Sequence, residues 1–183
     1  MAFDGILGQA AAVTLLSRAI ATGRVAHAYA FVGPSGVGRK LTALGFAQAL
    51  LCQTGGCGSC RSCARVGGGT HPDCHLVVPE GQTIKIDQVR ELARLASLTP
   101  HEGRVKVFIV DNAERMTLQA AHALLKTLEE PPARTVLVLI LSQVRALPAT
   151  ILSRCQPIRF SPLSPPDVVS VLAQHGLGEP RAR

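Results

Sequence analysis

The chain has 183 residues, 47% of them hydrophobic and 17% charged, which is enough apolar content for one domain-sized core and too little charge for a disordered tail protein. Nineteen Lys and Arg, mostly Arg, stand against twelve Asp and Glu for a formal net charge of +7; this is compatible with phosphate or nucleic-acid contacts without demanding them. No apolar run of about 18 residues is present to cross a membrane as a helix, and MAFDGILGQ does not read as a signal peptide, so the six cysteines are expected in a reducing, cytoplasmic setting, where clustered thiols bind metal more often than they pair.

In chain order, residues 7–21 carry apolar positions at helical spacing and stop at Thr22-Gly23. His27 to Val32 is a short apolar run entering the glycine-rich turn GPSGVGRK, and LTALGFAQALL then reads as a helix. Residues 52–75 are rich in Cys, Gly and basic side chains with almost no periodicity, and 76–78 can form a strand. A helix is expected over 87–97 with Asp87 as its N-cap. VKVFIV (105–110) reads as a buried strand ending at Asp111, Thr117 to Glu129 as a helix stopping before Pro131-Pro132, TVLVLIL (135–141) as a second buried strand and 157–160 as a short last one. Strands that are continuously apolar and alternate with helices predict a parallel sheet covered on both faces. Ser164-Pro165-Pro166-Asp167 reads as a fresh helix start running to about Gln174, with Gly176 and Gly178 beyond, so a second domain is expected to begin near 163 and to be cut off.

The loop Gly33-Pro34-Ser35-Gly36-Val37-Gly38-Arg39-Lys40-Leu41 has the glycine spacing of a phosphate-binding loop between a strand and a helix. Such a loop wraps phosphate in backbone N–H groups, reaches it with a lysine and holds Mg²⁺ through a Ser or Thr hydroxyl. Here Arg39 fills the lysine slot and Lys40 the hydroxyl slot. Thr42 lies about 200° around the helix from that slot and cannot take its place. Asp111 stands where this class holds Mg²⁺, although it also reads as a turn residue; the neighbouring Asn112 is a poor base, and the direction of Glu114 is open. The amide cradle survives while the metal ligand is lost, so binding of ATP or ADP stays open and hydrolysis is not expected.

Cys52, Cys57, Cys60 and Cys63 follow the spacing C-x4-C-x2-C-x2-C. Four thiolates in a short loop suit a closed, structural tetrahedral Zn²⁺ site, which would lower the net charge to about +5. An iron–sulfur cluster is disfavoured, because the run does not continue to C-x3-C-P. His71, Cys74 and His75 are alternative ligands, and Cys155 reads as buried or as a spacer beside Arg154.

AHAYAFVGPSGVG (26–38), the cysteine cluster, THPD (70–73), ALLKTLEEPP (123–132) and ILSRC (151–155) together resemble the AAA+ clamp-loader family of bacterial DNA replication. The resemblance covers nearly all of residues 5–163. It implies an AAA+ P-loop domain over 1–162 with a zinc module inserted at about 52–74, and the start of a helical lid domain over 163–183. It also implies that Cys52, Cys57, Cys60 and Cys63 are the zinc ligands. Cys52 is the least typical of them in spacing. Gly33, Gly36, Gly38, Arg39, Lys40, Leu41 and Asp111 would form a degenerate nucleotide site, with Ser142 near the family's sensor 1 position. Arg154 would be an arginine finger acting on a neighbouring subunit, its structural alternative being a pair with Glu129 or Glu130. Intact motor subunits of the family carry G-K-T and D-E where this chain carries G-R-K and D-N. The departure is similar to the family's stator class, whose member serves a DNA polymerase III holoenzyme, a nucleotidyltransferase assembly, without an ATPase of its own. Implied partners are the gamma/tau and delta clamp-loader subunits and, through the complex, the sliding clamp and primer–template DNA. Two rivals remain at this point: an active gamma/tau-like ATPase, and a DNA-binding zinc module using Arg61 and Arg65.

Overall fold

A computed structural model describes residues 2–174; the expected glycines at 176 and 178 and the remainder of the lid segment lie outside the described residues. The elements are α1 (Ala10–Ala21), β1 (Ala28–Val32), α2 (Arg39–Leu51), α3 (Arg61–Gly67), β2 (Cys74–Val77), α4 (Ile86–Ala96), β3 (Lys106–Val110), α5 (Leu118–Glu129), β4 (Thr135–Leu141), α6 (Ala149–Leu152), β5 (Gln156–Arg159) and α7 (Pro165–Gln174). The five strands form one sheet in the order β2-β3-β4-β1-β5, and every pairing is parallel.

The continuous apolar runs are explained by helices on both faces. In β4, Leu137, Leu139 and Leu141 face one core with Val89 and Leu92 of α4, Leu124 and Leu128 of α5 and Ile151 of α6. Val136, Val138 and Ile140 face the other core with Leu16 of α1, Phe46 of α2 and Val66 of α3. Successive strand residues point to opposite faces, so every position of β1, β3 and β4 is buried. The edge strand β5 is largely exposed and β2 is only partly covered. This is the α/β P-loop architecture expected from the sequence.

Three expectations are corrected. The cysteine-rich stretch contains α3, which has only seven residues and is started by a sulfur: the Cys63 N–H donates to Cys60 Sγ at 3.4 Å. The following strand begins at Cys74, two residues earlier than expected. Asp87 is not the N-cap of α4. Lys85 holds that position, its N–H donating to Gln88 Oε1 at 3.0 Å, and Asp87 sits in the first turn, where a carboxylate still favours the helix dipole.

The carbonyl end of α4 is caught by side chains from two strand starts. Lys106 Nζ donates to Leu95 O at 2.7 Å, and Thr135 Oγ1 donates to Ala96 O at 3.3 Å. This explains why a lysine only 5% exposed is tolerated at the head of a buried strand.

Candidate functional site

In a parallel sheet all carboxyl ends lie on one edge, and ligand sites form there. The glycine loop leaves β1 at that edge. A Cβ on Gly33 would collide with the Phe160 carbonyl oxygen just past β5, so only glycine lets the loop start so close to its neighbour. Gly36 and Gly38 take φ of 81° and 90°, and Gly38 is the N-cap of α2, with no side chain closing that helix end. Arg39 opens the helix 9% exposed, and its Nη1 is buried without a partner. Leu41 is 52% exposed. Thr42 is fully buried and donates its hydroxyl to Gly38 O at 2.9 Å, so it is turned away from the hydroxyl slot, as the helix geometry predicted.

The Lys40 ammonium crosses the loop to Asp111 Oδ2 at 3.1 Å. Asp111 itself is fixed at the end of β3, its N–H donating to Val77 O at 2.9 Å. Asn112 follows at φ 52°. Glu114 turns toward β4: its Oε1 accepts the Ser142 N–H at 3.1 Å, and its Oε2 is buried without a partner. Glu114 thus ties the ends of two strands together. A magnesium ion, which this fold class implies, does not fit this set. An ammonium has no lone pair to offer a metal, and it occupies the carboxylate the metal would use.

At the far side of α2 the sulfurs of Cys52, Cys57, Cys60 and Cys63 all lie within 4.8 Å of one another. A tetrahedral ion with 2.3 Å metal–sulfur bonds needs sulfurs about 3.8 Å apart; Cys52 to Cys60 is 3.6 Å and Cys52 to Cys57 is 3.9 Å. The set fits a closed four-sulfur metal site, and Cys52 belongs to it. The Thr54 hydroxyl, then the Cys57 N–H, hold the Cys52 thiol down at about 5. The N–H groups of Ser59 and Cys60 hold Cys57 at about 6. Burial pushes Cys63 up to about 12.

The alternative ligands lie outside the four-sulfur cluster. His71 is buried; its Nδ1 accepts the Asp73 N–H at 3.1 Å and its Nε2 lies 3.1 Å from Ser62 Oγ. Ser62 Oγ donates to Leu51 O at 3.2 Å, so the imidazole must donate from Nε2, and burial favours that neutral form. Cys74 is in β2, its thiol pushed up to about 11 by burial, and His75 stacks on Phe108 with ring centres 4.8 Å apart. Cys155 is buried, its thiol likewise raised to about 11.

Asp73 is the residue whose work the sequence did not disclose. Fully buried, it accepts the N–H groups of His101, Glu102 and Gly103 at 2.6, 2.7 and 2.6 Å. Arg65 grips Glu102 of the same loop with bonds of 2.9 and 2.8 Å. Arg65 thus pairs with Glu102, both side chains remaining partly exposed.

Arg154 lies between α6 and β5. Its Nη2 donates to Glu129 Oε1 at 2.8 Å and its Nη1 to Thr150 O at 2.8 Å, while the side chains of Arg154 and Glu129 remain 37% and 51% exposed.

The profile of the family described as DNA polymerase III, delta subunit, matches residues 8–164. DNA polymerase III subunit delta' of Bacillus subtilis is 42% identical over 172 residues, covering 92% of this chain and 52% of that one. The subunit of the same name in Pseudomonas aeruginosa is 45% identical over 136 residues, covering 71% and 42%. The chain thus spans about half the length of the curated relatives it matches. Among solved structures, the DNA clamp loader delta protein of Bacillus subtilis shares the fold at 15% identity, TM-score 0.59, over 90% of this chain and 48% of that one.

Proposed function

The chain belongs to the DNA polymerase III delta subunit family, and from that premise we propose that it is a delta'-type stator of a bacterial clamp loader, serving its neighbours' ATP sites rather than its own. The observation that carries this reading is a separation along the sheet. Gln156 of β5 pairs with Tyr29 of β1, so Arg154 lies near the amino edge, while the glycine loop begins after Val32 at the carboxyl edge. At about 3.3 Å of rise per residue that is roughly 15–20 Å, beyond the reach of one arginine side chain. Arg154 is out of reach of its own loop, which supports a role toward a site on another subunit.

There its guanidinium would neutralise charge growing on a transferred phosphoryl group. The pair with Glu129 is half exposed and worth at most about 1 kcal/mol, so releasing the guanidinium to a phosphate costs little. The four thiolates would hold a structural Zn²⁺, residues 1–162 forming the AAA+ domain and α7 opening the lid. Partners on this reading are the gamma/tau motors and the delta subunit, with the sliding clamp and primer–template DNA reached through the complex.

The test is Arg154→Ala in a reconstituted clamp loader. ATP turnover at the one neighbouring site that Arg154 would reach should fall by about 10³-fold or more, with assembly on size exclusion unchanged. Unchanged turnover overturns the finger; lost assembly assigns Arg154 a structural role with Glu129.

A further inference from the structure

The cation place beside Asp111 is filled by the chain itself. We propose that the glycine loop takes a phosphate-bearing anion without any divalent cation, the Lys40 ammonium standing in the cation's place against Asp111. This stands on the loop's own geometry and is independent of the role given to Arg154.

Two sets of observations carry it. The first concerns the missing metal. In an intact loop the hydroxyl after the lysine and the strand-end carboxylate share Mg²⁺. Here the first group is an ammonium, and it sits 3.1 Å from the second. Asp111 is 16% exposed while Lys40 is 47% exposed, so the pair is shielded from solvent on the carboxylate side only. A divalent ion would have to displace Lys40 and then lie beside two cations, Lys40 and Arg39. Mg²⁺ sheds water reluctantly and demands oxygen ligands, and Thr42, turned into its own helix, does not replace the lost hydroxyl.

The second set concerns the anion. Nothing caps α2, and its first turn contains no acidic side chain, so its N–H groups and dipole remain available to negative charge. Arg39 is nine-tenths buried at that helix start with Nη1 unpartnered. A buried guanidinium N–H without an acceptor is costly, and a phosphate oxygen is the acceptor its geometry suits. On this proposal Arg39 has the lysine role and Lys40 the metal's.

The full chain is titrated calorimetrically with ADP and with inorganic pyrophosphate, once in chelator and once with excess Mg²⁺. Binding should saturate, with dissociation constants agreeing within about threefold between the two buffers. Arg39→Ala should weaken binding about tenfold or more in both. Lys40→Thr should bind about tenfold more tightly with Mg²⁺ than without, and adding Asp111→Asn should remove that gain. Circular dichroism checks that each variant is folded. Electron paramagnetic resonance of Mn²⁺ gives a separate readout: with ADP present, Lys40→Thr should immobilise the ion and the parent chain should not. The proposal is overturned if Mg²⁺ strengthens binding to the parent chain tenfold, if Lys40→Thr stays indifferent to Mg²⁺, or if neither anion saturates in either buffer.

Discussion

The Asp73 carboxylate is fully buried and joins β2 to the loop at 101–103 through three short N–H bonds. Burial by itself would raise its pKa, but the N–H groups of His101, Glu102 and Gly103 outweigh burial and leave it below the usual value of 3.8. A carboxyl whose folded pKa is depressed adds stability above its unfolded pKa, and that stability is lost as pH falls through the folded one. The Asp73 contribution should therefore be complete at neutral pH and fade below about pH 4. Asp73→Ala removes the acceptor of three partly buried N–H groups and should cost about 1–3 kcal/mol at neutral pH, read from urea midpoints. The deficit relative to the parent chain should shrink in acid. A deficit that stays constant with pH would mean that packing, not charge, holds the loop.

At the scale of elements, α3 is the clearest case of structure imposed from outside. Seven residues are too few for an isolated helix in water, and two of the four clustered sulfurs, Cys60 and Cys63, lie at its start. Removing metal with a chelator should release about one ion per chain and lose helical signal of roughly one to two turns, while the sheet stays folded. The sheet survives because both cores rest mainly on α1, α2, α4 and α5. Mass spectrometry of the native chain counts the metal, and far-UV circular dichroism follows the helix. A chain that purifies with no metal, or whose whole fold collapses on chelation, contradicts this division.

For the whole molecule, the sheet and its helices account for nearly all burial, and α7 has no buried residue. Residues just before it are tied down: Gln9 Nε2 donates to Ser161 O at 2.8 Å, and the Ser161 N–H donates to Gln9 Oε1 at 3.1 Å. Ending the chain after Ser164 should therefore lower the melting temperature by less than about 4 °C, as expected if the domain boundary lies near 163. A larger fall would make α7 part of the first domain. Arg65 is paired with Glu102, Lys40 with Asp111 and Arg154 with Glu129; each pair joins one cation to one anion, so the net +7 is unchanged and rests on the other basic side chains.

The sequence by itself determined the alternation of helices and strands, the parallel sheet and the cysteine set, because each is written in short-range signals: apolar runs, glycine spacing and x2 repeats. Gly33, Gly36 and Gly38 announced the loop for the same reason, since only glycine fits those backbones. The lost hydroxyl at Lys40 was also legible, but what Lys40 does instead was not. That depends on Asp111 arriving beside it from another strand, and no local pattern encodes such a distance. Likewise THPD marked a family without revealing that Asp73 anchors residues 101–103, and Glu114 gave no direction until β4 brought Ser142 to meet it. Helix ends such as Lys85 before α4, and the short α3, were decided by contacts beyond their own segments. Only the tertiary structure could place these groups, because charge pairing and buried hydrogen bonds act between residues that the chain itself keeps far apart.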